Sequence, residues 1–559
     1  DIGHPYYRTC AEEMIRALME HVRDRSCIIG YQLDNETKYY GNANARIQQA
    51  FRAWLKKRFG SLEALNRAFG LNYWSNRINS WEDFPDVRGT INGSLASAFD
   101  EFRRRTVKEF LLWQAGIVGE YLHDGQFITQ NFDYEWRGWS FGIQPQVDHF
   151  QCAEAVSLAG VDIYHPTQSA LTGTEIAFGG DVSRSLKKSN YLVVETEAQG
   201  FPQWTPYPGQ LRLQAFSHLA SGACGVMYWH WHSLHNSWET YWKGVLSHDL
   251  KPGRIYHEVQ AIGRELERLS SHLQGLRKEN RVAMLVSNEA LSALEYHPIG
   301  DVLRERDFKY NDVVRWLYDA LYRNNIECDF LPSTTRDFRA YDLVFVPALY
   351  TAEEGLIDAL RQYVADGGHL LATFKTAFTD ENVQVYHDEQ PHGLTEVFGL
   401  HYQEFTVSPG MKLRGEKPLD GASCSDWEEL LIPDMAKVLA SYDNPAWQSY
   451  AAVTENPYGK GRAWYLGCYF SPDHLEQFVR EVVVKALPAI RPHEEVFPRI
   501  IRSGYNESGH RLTYYLNYSA QQQSFVYAGE AAMELTTGRE VSYGERLVLE
   551  PWGVQIVEQ

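Results

Sequence analysis

The sequence predicts an α/β protein in which two blocks of parallel sheet precede a small antiparallel β domain. Three observations predict it. Up to about residue 275, short apolar runs that end in polar or aromatic residues alternate with helical or loop segments, which is the βα pattern of a parallel sheet. From Asn280 the alternation starts again with new strands and helices. From about residue 490 the helices vanish, and short alternating strands with Gly and Asn turns replace them.

Residues 9–25 (TCAEEMIRALMEHVRDR) space their apolar positions as a helix does. A strand follows over 27–34, with Ile28, Ile29, Tyr31 and Leu33 as its apolar residues. A helix near 44–59 precedes a second one, SLEALNRAFG, with Ser61 as N-cap and Gly70 as stop. A long helix covers about 97–122. Four more strands come next: FITQNF (127–132), GVDIYHP (160–166), YLVVETE (191–197) and CGVMYWHW (224–231). Five strands fit either a smaller α/β sheet or a (β/α)8 barrel entered partway along.

In the second block RVAMLVSN, ECDFLP, YDLVFVPALY and HLLATF read as buried strands. The helices NDVVRWLYDALYRNN and EEGLIDALRQYVADGG lie between them, which predicts a flavodoxin-like doubly wound sheet. Neither GxGxxG nor the P-loop pattern occurs, and Gly367 and Gly368 read as a helix stop, so no nucleotide cofactor is expected. RLTYYLNYS, QSFVYAG, AAMELTTG, REVSYGERLVLEP and WGVQIVEQ form the β tail. The expected division is 1–275, 278–487 and 490–559.

The formal charge of −19 over 559 residues argues against nonspecific nucleic-acid binding and against an anionic membrane surface. No apolar run approaches 18 residues, so no membrane span is expected. The seven cysteines form no CxxC pair and indicate neither a disulfide framework nor a cysteine-rich zinc site. No signal segment stands at Asp1, and the expected location is cytoplasmic. Aromatic residues reach 14%, with 16 Trp and 34 Tyr, which leans towards carbohydrate because aromatic faces stack on sugar rings.

IIGYQLDNE carries the chemistry: a buried strand runs straight into Asp34, Asn35 and Glu36. In a (β/α)8 barrel the C-terminal rim of the strands is where catalytic residues sit. Retaining glycoside hydrolysis needs two carboxylates about 5–5.5 Å apart, one acid/base and one nucleophile. Glu36 is the first candidate, and YLVVETEAQGFPQW offers Glu195 and Glu197 for the second. Two residues apart on a strand, they can share a face, and Glu197 is nearer the rim. Trp229, Trp231 and Trp238 are candidate walls of a sugar pocket, and Glu239 a candidate hydroxyl ligand. His230 and His232 lack a third ligand at recognisable spacing, so polar contacts are expected there and no metal.

With these residues in view, the chain resembles the glycoside hydrolase family 42 β-galactosidases. IIGYQLDNE resembles that family's acid/base strand, FRAWLKKRFGSLEALNRAFGLNYWS the segment after it, TEAQGFPQW the nucleophile strand, and PGQLRLQAFSHLASGACGVMYWHW the approach to strand eight. The resemblance implies Glu36 as acid/base, Asn35 as its sugar-binding neighbour and Glu197 as nucleophile, because TExQG falls on Thr196, Glu197, Gln199 and Gly200; strand register alone also allows Glu195. It further implies Trp204 and Glu239 as substrate-binding residues, a galactoside or related oligosaccharide as substrate, no cofactor, and a homotrimer. It implies a TIM barrel of which strands four to eight are visible, so the chain is expected to lack the N-terminal part of the barrel. Trp242 stands where the family usually has His, His232 replaces its strand-eight Arg, DIGHPYYR replaces an arginine-containing stretch, and the zinc-binding cysteine cluster of some members is absent. These departures open the alternatives of an α-L-arabinopyranosidase, a β-D-fucosidase or a noncatalytic sugar-binding relative.

Overall fold

The computed structural model describes residues 1–200, 204–300, 307–490 and 493–559. Residues 201–203, part of TEAQGFPQW, lie outside the described residues.

Strands β1 (Gly30–Asn35), β2 (Phe127–Phe132), β3 (Gly160–Asp162), β4 (Tyr191–Glu197) and β5 (Ala223–Trp229) form a five-stranded sheet in sequential order. All four pairings are parallel. Helices at Gly93–Gly119, Thr174–Lys187 and Gln210–Ala220 make crossovers between successive strands, as parallel pairing requires. Their apolar faces bury Phe99, Phe110, Phe178 and Phe216. Because the strands run the same way, their carboxyl ends share one edge. Asn35, Asp162, Glu195 and Trp229 lie at that edge, with Asp133 one residue past β2.

Local signals set most boundaries. Asn44 caps the helix Ala45–Phe59 by accepting from the Ile47 amide, and Ser61 caps Leu62–Ala68 through the Ala64 amide. The first helix starts at Pro5 rather than residue 9, since proline fits the first turn of a helix. The long helix starts at Gly93 rather than 97, because Asn92 Oδ1 accepts from the Leu95 amide at 2.7 Å. GVDIYHP pairs only as far as Asp162, and its remaining residues turn away as loop.

The second block holds the four expected parallel strands: β6 (Val282–Val286), β7 (Cys328–Pro332), β8 (Leu343–Val346) and β9 (His369–Thr373), in the order β7-β6-β8-β9. The sheet continues well past them. Strands β10 (Leu400–Thr406), β11 (Leu413–Gly415), β12 (Cys424–Pro433), β13 (Lys437–Tyr442), β14 (Ala451–Tyr458), β15 (Gly461–Leu466) and β16 (Cys468–Phe470) bring it to 11 strands, with β15 parallel to β9. This extension was not expected from sequence. Strand β12 carries Glu428 and Glu429, both fully buried, so its pattern does not read as an apolar run. The tail is antiparallel throughout, with a five-stranded sheet and a two-stranded one. Arg502 of the tail pairs with Asp181 and Glu327, tying the tail to both preceding blocks.

Candidate active site

A cavity of about 390 Å³ opens at the carboxyl edge of the first sheet. Asn35 and Glu36 reach it from β1, Asp162 from β3, Glu195 from β4, Trp229 from β5 and Glu239 from the loop beyond. Carboxylate oxygens of Glu36, Asp162 and Glu195 all lie within 4.8 Å of one another. Among the described residues these three are the group that could hold a metal ion, although acid clusters also occur without one.

Asn131, at the end of β2, organises the cluster. Its Oδ1 accepts from the Glu36 amide at 3.0 Å, and its Nδ2 donates to Asn35 Oδ1 at 2.9 Å and to Asp162 Oδ2 at 2.7 Å. The same Nδ2 lies 3.4 Å from Glu195 Oε1. Glu36 takes φ +42°, a left-handed turn that ends the strand at the cavity. The Tyr164 hydroxyl donates to Glu195 Oε2 at 2.8 Å. Trp229 Nε1 donates to Glu239 Oε2 at 3.3 Å.

The electrostatics follow from crowding. Burial pushes Asp162 well above the usual carboxylate range, and the Glu195 and Glu36 charges push it further. The crowding thus favours the protonated form of Asp162. Burial also raises Glu195, while the Tyr164 hydrogen bond opposes that rise. Asp133 is pushed up to about 6 by burial against the pull of Lys38.

Glu197, the expected nucleophile, does not line the cavity. It is 1% exposed and sits 3.0 Å from His165 Nδ1. The partners of the two glutamates are the consecutive residues Tyr164 and His165, on different sides of the chain. The expectation assumed unbroken two-residue alternation. Register shifts on both flanks of β4, between Val161 and Asp162 and between Val193 and Thr196, break it. Glu195 is thus the β4 carboxylate that meets Glu36.

Trp204 is not among the lining residues: its ring stacks on Trp139 at 6.4 Å, and its carbonyl accepts from Lys243 Nζ at 2.6 Å. Of the three tryptophans singled out as walls, Trp229 lines the cavity, whereas Trp231 and Trp238 do not, and Trp238 is 94% exposed. His230 Nε2 lies 3.3 Å from the Trp242 carbonyl, and His232 Nδ1 3.0 Å from that of Ser233. Sequence reasoning missed Asn131, Asp133, Asp162, Tyr164 and Lys38. The first three are the polar residues at strand ends, so the rule that found Glu36 would have found them.

A larger cavity of about 490 Å³ lies near the amino end of β4, lined by Arg184, Asn190, Lys278 and Asp329 among others. Its buried cations are already paired, Arg184 with Asp181 and Asp329, and Lys278 with Glu327. It gathers no group suited to bond cleavage.

Comparison with known proteins agrees with this geometry. Residues 1–269 match the family model described as β-galactosidase (glycoside hydrolase 42), and residues 280–487 match the β-galactosidase trimerisation domain. The chain belongs to glycoside hydrolase family 42. It is a glycoside hydrolase of the β-galactosidase type. Along residues 1–269 the match carries the five parallel strands β1–β5. Similar curated relatives include the β-galactosidase LacZ of Lactobacillus acidophilus, 27% identical over 99% of this chain and 82% of that protein. Another is the β-galactosidase bgaB of Geobacillus kaustophilus, 28% identical over 86% of this chain and 71% of its own. Among solved structures, the β-galactosidase from Bacillus circulans sp. alkalophilus superposes with TM-score 0.89 at 24% identity, covering 100% of this chain and 83% of its own. That from Halorubrum lacusprofundi superposes with TM-score 0.85 at 24% identity, with the same coverage. The fold of this family 42 enzyme is therefore that of TIM-barrel-type β-galactosidases carrying a trimerisation domain. Among the described residues no helix is long and apolar enough to cross a membrane.

Proposed function

We propose that this family 42 enzyme removes terminal non-reducing β-D-galactosyl residues with retention of configuration, with Glu36 as acid/base and Glu195, in place of Glu197, as nucleophile. The observation that carries the reading is the meeting of the Glu36 and Glu195 carboxylates in one cavity, with oxygens within 4.8 Å. That closeness suits a retaining pair and leaves little room for the water an inverting pair must hold between its carboxyls.

In the first step a Glu195 oxygen attacks the anomeric carbon as the glycosidic C–O bond breaks, and the Glu36 proton goes to the departing oxygen. In the second, Glu36 takes a proton from water, and the hydroxide oxygen displaces Glu195 from the same carbon. The Tyr164 hydroxyl holds the Glu195 carboxylate and stabilises it again as a leaving group. Asn35 and Glu239 are placed to bind sugar hydroxyls, and Trp229 and Trp242 to face the apolar side of the ring. Trp204 remains a substrate-binding candidate only for parts of the substrate beyond the lined cavity.

One observation favours a second reading. Trp242 lines the cavity at the position where the family's His is expected. An indole suits a sugar without a 6-hydroxyl, such as a β-D-fucoside or an α-L-arabinopyranoside. A noncatalytic role is not favoured, since both carboxylates are in place. A panel of nitrophenyl β-D-galactoside, β-D-fucoside and α-L-arabinopyranoside decides the sugar, and NMR of the first product decides the stereochemistry. Absence of turnover on all three, or α-product formed first, would sink the proposal.

We divide the chain at 1–275, 278–487 and 490–559 and propose a homotrimer assembled through the middle part. The match to the trimerisation domain over 280–487 supports both. A cytoplasmic location is supported by seven cysteines that all stand as free thiols.

A further inference from the structure

Lys38 is the one lysine or arginine among the residues that line the described cavity, and the steps above give it no role. The turn after β1 brings it there. Its side chain is 13% exposed, and its ammonium group is ion-paired with Asp133 and stands 3.6 Å from Glu36 Oε2. Both ends of this arrangement are braced. Gln144 Nε2 donates to Asp133 Oδ2 at 2.9 Å, and the Tyr40 hydroxyl donates to the Glu36 carbonyl at 2.8 Å, with the Lys38 ammonium 5.4 Å from the Tyr40 ring centre.

The Glu36 carboxylate accepts no hydrogen bond among the described residues, although its backbone amide is held by Asn131. The titratable groups around it come from every element of the site: Asp34 and Tyr40 on its own turn, Asp133 after β2 with His149 behind, Asp162 on β3, Glu195 on β4 and Glu239 beyond β5. All the carboxyls among them repel a Glu36 carboxylate when ionised. Lys38 is the attractive contact. Attraction at 3.6 Å, in a site partly shielded from water, is worth more than on an open surface.

We infer that Lys38, anchored by Asp133, is a positioning residue that holds the Glu36 side chain in the orientation its proton transfer requires. The inference rests on the acid/base reading of Glu36, so its test must separate the two. A general acid matters most when the leaving group is poor. Rates on methyl β-galactoside and 2,4-dinitrophenyl β-galactoside are therefore measured for wild type, E36Q, K38M and K38R. K38M is expected to lose about tenfold or more in kcat/KM on the methyl glycoside, with a change under about threefold in kcat/KM on the dinitrophenyl one, because kcat/KM reports the first step, in which the leaving group takes the proton. K38R keeps the charge and restores most of the loss. Because K38M leaves Asp133 without its cation, the double variant K38M/D133N, which has no orphaned charge, carries the same expectation if K38M does not fold.

Equal losses on both substrates in the lysine variants would mean that Lys38 merely supports the fold, and K38R as impaired as K38M would mean that its charge is immaterial. Either outcome overturns the inference while E36Q still shows the selective loss. If E36Q itself shows no selective loss, the acid/base reading fails first and the role of Lys38 fails with it.

Discussion

Exchanging each β4 glutamate for glutamine separates the two registers of that strand. Glu195→Gln keeps a side chain of the same shape beside Tyr164 and Asn131 but removes the proposed nucleophile. Deleting a covalent nucleophile costs on the order of 10⁴-fold or more in kcat. That corresponds to at least about 5 kcal/mol of lost transition-state stabilisation. Glu197→Gln acts elsewhere. Its carboxylate is fully buried, with Oε1 3.0 Å from His165 Nδ1, and glutamine keeps the same shape there. The cost falls on stability, about 1–3 kcal/mol for a weakened buried polar contact. Turnover stays within about tenfold, under about 1.4 kcal/mol in the barrier. The assays are nitrophenyl-galactoside turnover, thermal unfolding of each variant, and a 2-fluoro-galactosyl trap with fragment sequencing of the labelled peptide. Label on Glu197, or a well-folded E197Q as inactive as E195Q, would refute the assignment drawn from β4. An active enzyme that takes no label at either residue would refute the covalent intermediate itself.

Three further outcomes are expected. Glu36→Gln should lose about 10²–10⁴-fold in kcat/KM on alkyl galactosides and far less on dinitrophenyl galactoside, which needs little protonation to leave; kcat/KM on the two substrates checks this. Glu429 accepts from the Lys375 amide at 2.7 Å and the Tyr465 hydroxyl at 2.8 Å, and burial pushes it up to about 7. The folded state therefore keeps this proton where the unfolded chain has lost it. The stabilisation is complete below about pH 4.5 and falls away as pH rises towards 7, by up to about 3 kcal/mol. Urea unfolding across that window should show a shallower pH slope for Glu429→Gln than for wild type, and identical slopes would contradict it. Finally, light scattering at micromolar concentration should give three times the chain mass, because a cyclic assembly closes through heterologous contacts; a monomer would contradict the proposed trimer.

The β/α alternation, the switch to antiparallel strands near 490, and Glu36 at a strand end were legible in the sequence. Each depends on local chemistry: apolar periodicity, caps at Asn44 and Ser61, and a polar residue where a strand leaves the core. The extension of the middle sheet was not legible. Buried Glu429 interrupts the pattern of β12, and only contacts with Tyr465 and the Lys375 amide, from distant parts of the chain, make that burial possible. The β4 carboxylate that faces Glu36 was not legible either. The sequence reading favoured Glu197, with register alone also allowing Glu195, because side-chain direction depends on pairing. Two neighbouring strands shift register along β4, and those shifts turn Glu195 to the cavity and Glu197 to His165. The same holds for Tyr164 and Lys38, which are ordinary residues in a linear reading. The sequence alone determined which chemical groups this chain owns and roughly where its strands end. Tertiary structure decided which of them meet, because the forces between carboxylates, and between a carboxylate and an ammonium group, act only over the few ångströms that folding creates.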